Sequence, residues 1–313
     1  MAPRVGRSFL GITSHRRLTM QTSLWNFDFA VAVVPHLWSG KLIGAMLITF
    51  VVQGVTIGAY AARLAGVQTK RIATSISLFN LFVTTGRLAN LFMAFFVGPL
   101  SDEAGNATGA VAAWHHVFEL QLRLIVLAGT AGMIAFAFFL PMFTYLFRRG
   151  VHSFEARGSV PHSLMRLAAP SVIADVLRAQ RLPSLAELRA FNWRVLPKRL
   201  LIFNVVVMCV YAIGVQASYL ASVLDANVAR TAIGLSGVIN GIGTIAFTLF
   251  VDPTSSMISD QAIHGKRSVE EVRSMVFYLS LTAILGSLLS QVILYPAAVI
   301  IEVVARFAAH VHL

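Results

Sequence analysis

Cysteine is nearly absent from this sequence, since Cys209 is the single one among 313 residues. One thiol excludes an internal disulfide framework, a thiolate metal site and a paired redox motif. Cys209 lies inside an apolar run, where a lone thiol packs like other small hydrophobic side chains. The sequence therefore predicts a packing role for Cys209.

Charged residues are also scarce. They make up 12% of the chain, whereas soluble domains have roughly 25%. Hydrophobic residues make up 57%, and the mean hydropathy is +0.75. This composition predicts an all-α integral membrane protein, because long apolar segments cross a bilayer as helices. The length suits one polytopic bundle of about six transmembrane helices.

The sequence motifs of several enzyme classes are missing. No glycine-rich loop precedes a Lys-Ser/Thr pair, as ATP hydrolysis would need, and no Gly-x-Ser-x-Gly elbow marks a serine hydrolase. His115 and His116 are neighbours that point to different sides of a helix, and no HExxH or Cys/His spacing surrounds them. We therefore expect no catalytic residue, metal ion or cofactor, and a transporter rather than an enzyme.

The net charge of +12 is distributed unevenly along the chain. Basic residues flank apolar spans instead of forming a patch on a soluble domain, so nucleic acid is not an expected partner. Segments 63–71 and 148–199 are strongly basic, whereas segment 101–121 is acidic. By the positive-inside rule the basic segments face the cytoplasm and the acidic one faces outward. This alternation places both termini outside, which the basic N-terminus disfavours.

Six apolar segments within a membrane domain, residues 42–303, are predicted to span the bilayer. An N-terminal extension or leader, residues 1–41, precedes them, and a tail, residues 304–313, follows. The basic segment 148–199 is predicted to form amphipathic helices on a lipid surface, and a solvated linker fits its composition nearly as well. Three spans on either side of it would give two inverted halves. The predicted spans are residues 42–62, 72–97, 124–147, 200–224, 231–251 and 274–301.

The second span carries a polar stripe that includes one charge, Arg87. Its residues recur at spacings of 3, 3, 4, 3 and 3, which is typical of one helix face. An arginine near mid-membrane costs a few kcal/mol, and this favours an anionic partner in a cavity. Bonding to helix carbonyls or snorkelling to the interface would also explain it. The stripe consists of Thr74, Ser77, Asn80, Thr84, Arg87 and Asn90.

Several cations lie on the cytoplasmic side of this stripe in the predicted topology. Guanidinium forks suit phosphate oxygens and lysine adds a point charge, so these cations predict an entry path for a phosphate-bearing amphiphile. Polar residues in the last two spans and in the segment between them are candidates for coupling or gating, although helix-end and loop charge would also explain the two aspartates among them. The predicted substrate-binding residues are Arg63, Lys70, Arg71, Ser77, Asn80, Arg87 and Asn90, and the predicted coupling or gating residues are Asp252, Asp260, Asn240 and Gln291.

A family resemblance rests on four segments: AYAARLAGVQTKRIATSISLFNLFVTTGRLAN (59–90), NGIGTIAFTLFVDP (240–253), SDQAIHG (259–265) and LGSLLSQVILYPAA (285–298). In this order and spacing they resemble the Amj family, the alternative lipid II flippases that can stand in for MurJ in bacteria. The resemblance implies a six-span protein of the bacterial cytoplasmic membrane. Such a protein moves its partner lipid II, the undecaprenyl-pyrophosphate-linked peptidoglycan precursor, from the inner to the outer leaflet.

The chain departs from the family pattern in three places, one of which is the loop 148–199, where the match is poorer. Its extension before Met46 is long, and Gln53 and Thr56 stand in the first span, where the resemblance leads us to expect an acidic residue. Three other functions remain open on the residues alone. They are transport of another anionic lipid or small anion, membrane-embedded catalysis on polyprenyl phosphates, and a non-transporting scaffold for cell-envelope assembly.

Overall fold

The structure of this chain is a computed structural model that describes residues 37–107, 111–157, 170–181 and 183–310. The side chains of some residues within these ranges, Arg87 and Asn90 among them, also lie outside the described part. The described residues form α-helices and no strand, which confirms the predicted all-α fold. The helices are α1 (Gly40–Thr69), α2 (Ile72–Leu91), α3 (Met93–Gly105), α4 (Val111–Phe138), α5 (Leu140–Arg157), α6 (Pro170–Arg178), α7 (Leu185–Ala190), α8 (Lys198–Leu224), α9 (Ala229–Ala246), α10 (Asp252–Ile263) and α11 (Val269–His310).

Five helical segments of the described residues are long and apolar enough to cross a membrane, so the protein is a multi-pass membrane protein. The predicted span 72–97 is divided between α2 and α3, and the predicted span 124–147 is divided between α4 and α5. Pro99 lies within α3, and the helix continues past it, as membrane helices can when neighbouring groups satisfy the freed carbonyl. The count of six spans stays a prediction. The five segments are Gly40–Thr69, Ala113–Phe138, Lys198–Leu224, Ala226–Ile263 and Val269–Ala309.

The basic segment 148–199 is partly helical. Helix α5 extends into it as far as Arg157, and α6 and α7 are short helices further along. Helix α7 begins with a capping box: the Glu187 backbone N–H donates to the Ser184 hydroxyl, and the Ser184 backbone N–H donates to the Glu187 carboxylate. This reciprocal pairing satisfies two donors that a helix N-terminus otherwise leaves free. Residues 158–169 lie outside the described part.

A tight turn reverses the chain between α1 and α2. The Arg71 N–H donates to the Gly66 carbonyl at 2.9 Å and the Lys70 N–H donates to the Val67 carbonyl at 3.2 Å, which is a Schellman motif. Lys70 takes the left-handed position of this motif, with φ of 58°. The Ser75 hydroxyl then donates to the Ala62 carbonyl where the two helices cross. Helix α2 is thereby folded back against α1.

The helices form two groups that meet along a seam. Helix α1 packs against α2, α4 and α5, whereas α8 packs against α9 and α11, and α11 also contacts α1 and α4. Buried apolar side chains form two clusters along the bundle, one around Tyr60 and Phe147 and the other around Phe118 and Leu220. The grouping follows the two predicted halves, and an inverted relation between them stays a prediction.

Asn204 of α8 joins the two groups at the seam, where its side chain is fully buried. It accepts a hydrogen bond from the Tyr60 hydroxyl of α1 at 3.1 Å. Its Nδ2 donates to the Leu279 carbonyl and the Thr282 hydroxyl of α11, both at 2.8 Å. A hydrocarbon interior supplies no alternative partner, so this satisfied network favours one register of the three helices.

Two glycines mark the closest helix crossings. A Cβ atom at Gly132 of α4 would collide with the backbone carbonyl of Phe50 in α1, and one at Gly286 of α11 would collide with the backbone carbonyl of Val205 in α8. Small residues at helix crossings let backbones approach closely in membranes. Because backbone atoms are the obstacle, a side chain at either position requires the helices to separate.

We expect Gly132→Ala to lower the free energy of unfolding by about 1–3 kcal/mol, the usual cost of overpacking. Gly234→Ala is the matched control, because nothing lies within 4 Å of a Cβ atom at Gly234. Thermal unfolding of both purified variants in detergent checks this. Equal melting temperatures for the two variants would contradict the close crossing of α1 and α4.

Candidate functional site

A cavity of about 380 Å³ lies between α1, α2, α8 and α9, and we call it the central cavity. Gln53, Thr56 and Tyr60 of α1 line it from one helix face, at spacings of three and four residues. Tyr211 of α8 and Asn240 of α9 line the opposite side. The lining is mainly apolar with several polar groups on facing helices, which suits a ligand that has both apolar and hydrogen-bonding parts.

Hydrogen bonds on the α9 side of the central cavity leave one acceptor unused. The Tyr211 hydroxyl donates to Thr244 at 2.6 Å, and the Thr244 hydroxyl donates to the Asn240 carbonyl at 2.8 Å. The Asn240 side-chain oxygen is buried and has no hydrogen-bond partner among the described residues. An unpaired buried acceptor costs about 1–3 kcal/mol. A ligand in the cavity can remove this cost only when the Asn240 side chain turns toward it and exposes this oxygen.

Arg63 lies three residues beyond Tyr60 on α1, and its side chain is only 3% exposed. Its Nη2 is paired with the Asp252 carboxylate, and its Nη1 donates to the Ser256 hydroxyl at 3.0 Å. The guanidinium also lies 5.0 Å from the ring centroid of Phe79, a residue that lines the central cavity. The Arg63 Nε is buried with no partner among the described residues. One donor of the guanidinium is thus left unsatisfied among the described residues.

A wide helical turn precedes Asp252. Residues Phe247–Val251 form a π-helical segment, and the Asp252 N–H donates to the Phe247 carbonyl, five residues back. In a regular α-helix the ring of Pro253 would clash with the Leu249 carbonyl, and its missing N–H would leave that carbonyl unpaired. The wider turn inserts one residue into the helical register. Asp252 begins α10 after this shift and meets Arg63 from there.

The structure changes the interpretation of three predicted residues. Arg63 does not lie at an exposed entry. Its side chain is buried inside the bundle, where the Asp252 carboxylate neutralises its charge. Asp252 was assigned to coupling or gating, and its ion pair with Arg63 makes it more than a helix-end charge. Asp260 lies eight residues further along α10, about 12 Å by the helical rise. Its side chain is 64% exposed and lies beside His264, away from the pair.

The other two cations of the predicted entry path are exposed. Arg71 is paired with Glu155 of α5 at 3.1 Å and is 61% exposed. Lys70 occupies the left-handed turn position, where a β-carbon costs roughly 1–2 kcal/mol, and its side chain is exposed. These two residues remain accessible to an anion, and their role in substrate binding stays a prediction.

The polar stripe of α2 does not line the central cavity as one face. Its first four residues border a separate groove of about 330 Å³ beside Phe154 of α5. Their average spacing is shorter than the helical repeat, so the stripe drifts around the helix, by about 160° from Thr74 to position 90. That rotation places position 90 on the side of Phe79, Val83 and Gly86, which do line the central cavity. The four groove residues are Thr74, Ser77, Asn80 and Thr84.

Arg87 and Asn90 are helical positions of α2 whose side chains lie outside the described part of the structure. Their predicted roles in substrate binding therefore stay predictions. Gln291 of α11, assigned to coupling or gating, lies elsewhere: its Nε2 donates to the Arg123 carbonyl at 3.1 Å. Arg123 in turn donates to the Gln291 carbonyl and is paired with Glu119 at 2.7 Å. This arrangement ties α4 to α11 and gives Gln291 a structural contact.

No sequence motif predicts a role for Tyr60 or Tyr211, and Gln53 and Thr56 stand out in the sequence only as departures from the family resemblance. A signal was present for α1, since positions 53, 56, 60 and 63 recur at helical spacing. Among the described residues no group of three or more His, Cys, Asp or Glu side chains could hold a metal ion. The central cavity therefore offers hydrogen-bonding groups, and the buried Arg63 guanidinium lies close to its Phe79 wall.

Residues 48–305 match the family described as Amj, alternate to MurJ. The chain belongs to the Amj family. A protein of Bacillus subtilis (strain 168) named lipid II flippase Amj is 31% identical over 264 residues, which are 84% of this chain and 96% of that protein. No solved structure matches the chain. The central cavity and the Arg63–Asp252 pair both lie within the matched residues.

We expect Asp252→Ala to lower the free energy of unfolding by roughly 3 kcal/mol, because it leaves the Arg63 charge buried and unpaired. Asp260→Ala is the matched control on the same helix, and its exposed side chain predicts a change within about 0.5 kcal/mol. Thermal unfolding in detergent and abundance in membranes measure both. Equal stability of the two variants would show that Arg63 does not depend on Asp252.

Proposed function

We propose that this protein is a lipid II flippase of the bacterial cytoplasmic membrane. It translocates the undecaprenyl-pyrophosphate-linked peptidoglycan precursor from the inner to the outer leaflet. Cell-wall synthesis outside the membrane then uses this precursor. The observation that carries the proposal is the relationship to a protein named lipid II flippase along most of both chains. On this proposal the protein is a transporter, its partner is lipid II, and no covalent step is required of it.

The central cavity supports the proposal by its chemistry. The head group of lipid II carries sugar hydroxyls and peptide amides, which donate and accept hydrogen bonds. Gln53, Thr56 and Asn240 offer matching groups inside the bundle, while the isoprenoid chain stays in the lipid. Lipid II also carries a pyrophosphate, and Arg63 supplies a guanidinium near the cavity. Such groups lower the cost of moving a polar head group through hydrocarbon.

Helix α9 is the element that we expect to move. Only Ala232 and Gly243 of this helix are buried. Cβ atoms built at Gly234, Gly237 and Gly241 would meet nothing within 4 Å. Elements with few buried contacts open most readily. We therefore assign α9 as the wall of the central cavity that separates from α8, breaking the Tyr211–Thr244 hydrogen bond.

The test uses bacteria depleted of their own lipid II flippase and an outside-only agent that cleaves exposed lipid II. Expression of this protein should restore the cleavage product. Asn240→Leu should reduce the product roughly tenfold, as expected when one hydrogen bond to substrate is lost. Its abundance should stay unchanged or rise, because the substitution removes a buried acceptor that has no partner among the described residues.

Thr231→Leu is the matched control, since Thr231 lies at the exposed start of the same helix and does not line the cavity. A well-expressed protein that restores no cleavage product would overturn the flippase function. Restoration by the wild type and equally by Asn240→Leu would keep the flippase and remove the central cavity from its mechanism.

A further inference from the structure

A second and larger cavity, of about 610 Å³, lies away from the central cavity. It is bounded by the end of α4, the start of α5, helix α7 and the first turns of α11. We call it the loop groove, because residues 179–181 and 183–191 of the basic segment form one wall. Its volume is within the range of about 300–1,000 Å³ that is usual for ligand sites.

The inner surface of the loop groove is apolar and opens toward lipid. Ile134 and Phe138 of α4 lie on one side, and Leu281 and Ile284 of α11 lie on the other. Ile134, Phe138 and Leu281 are 42%, 51% and 39% exposed. Exposed apolar side chains on membrane-spanning helices face hydrocarbon, so an apolar chain can enter this groove sideways from the bilayer.

Local structure holds the wall of the groove in place. Pro141 cannot donate a backbone hydrogen bond, and the helix is interrupted close to it, between the end of α4 and the start of α5. The Gln180 side chain donates to the Phe138 carbonyl at this break, at 2.8 Å. On α7, the hydrogen bond from the Ser184 backbone holds the pKa of Glu187 below its ordinary value. This wall is thus attached to the helix break through Gln180 and carries the Glu187 charge at its rim.

Three guanidinium groups stand at the rim of the groove. Arg181 is paired with Glu187 at 3.2 Å, and Arg273 is paired with Glu270 at 2.9 Å. Arg148 is exposed and makes no ion pair with any described residue. Exposed ion pairs contribute only about 0–1 kcal/mol. An anion with several oxygens can therefore displace the carboxylates and engage more than one arginine.

We propose that the loop groove binds the polyprenyl-pyrophosphate end of the substrate before translocation. The isoprenoid chain lies along the apolar walls, and Arg148, Arg181 and Arg273 hold the two phosphoryl groups. Guanidinium forks bind such oxygens in bidentate geometry. A bulk phospholipid carries one phosphate, so it reaches fewer of these arginines. This inference rests on the proposed function, because it names the part of lipid II that the protein holds first.

The first test is binding of undecaprenyl pyrophosphate to the purified full-length protein in detergent, measured by native mass spectrometry. The double variant Arg148→Gln/Arg181→Gln should weaken binding about tenfold or more, as expected for losing charge-assisted hydrogen bonds. Arg189→Gln is the matched control, because Arg189 is an exposed cation of α7 that does not line the groove. It should bind like the wild type.

The second test fills the groove. Ala137→Trp places an indole against the groove wall and should also weaken binding about tenfold. Ala131→Trp lies on the exposed side of the same helix, outside the groove, and should bind normally. Thermal unfolding of each variant confirms that it is folded. Wild-type affinity in both the arginine and the tryptophan variants would overturn the site.

Phosphatidylglycerol, titrated in the same way, tests the identity of the occupant. Weaker binding of this phospholipid than of undecaprenyl pyrophosphate is the expected result. Equal affinity, with equal loss in the variants, would overturn the assignment and make the groove a general site for anionic phospholipids. A wild type that binds at the groove yet restores no lipid II cleavage in cells would refute the flippase function while leaving the binding site intact.

Discussion

The ion pair between Arg63 and Asp252 is the interaction on which the rest of the bundle depends. Arg63 is a buried charge, and it is tolerable only because a carboxylate, a hydroxyl and an aromatic face surround it. Those partners come from α10 and α2, so the charge on α1 dictates which helices surround it. The fully buried Asn204 network adds a second polar contact between the same two groups. Packing of apolar side chains then fills the space that these contacts define.

Most helices were predictable, because a hydrophobic run is a local signal. The break between α2 and α3 inside the predicted span 72–97 had no such signal. The pairing of Arg63 with Asp252 was not predictable either, since 189 residues separate them and no local spacing reports such a contact. The polar stripe of α2 does not keep to one helix face, for a geometric reason. Residues three apart look like one helix face over one or two turns. Over the five steps of this stripe, however, they rotate steadily around the helix. The polar face of α1 follows the helical repeat more closely and reaches the cavity.

The two cavities suit different parts of lipid II. The isoprenoid chain is stable in the hydrocarbon of the bilayer, whereas moving the pyrophosphate and the sugars into hydrocarbon costs free energy. The loop groove combines an apolar flank with rim arginines, and the central cavity combines hydrogen-bonding groups with a nearby guanidinium. Helix α9, which has few buried residues, stands beside the central cavity, whereas the tight crossings at Gly132 and Gly286 hold the frame around it. On the proposed function, rigid and movable elements are thus separated within one bundle.

The most direct test of the central claim is a double-mutant cycle on the buried pair, with Arg63→Met, Asp252→Leu and the combined variant. Thermal unfolding in detergent gives the stability of each. We predict a coupling of at least about 1 kcal/mol, with the combined variant more stable than the sum of the single losses implies, because it leaves no unpaired buried charge. Additive losses, with no coupling between the two positions, would contradict the claim that this pair organises the bundle.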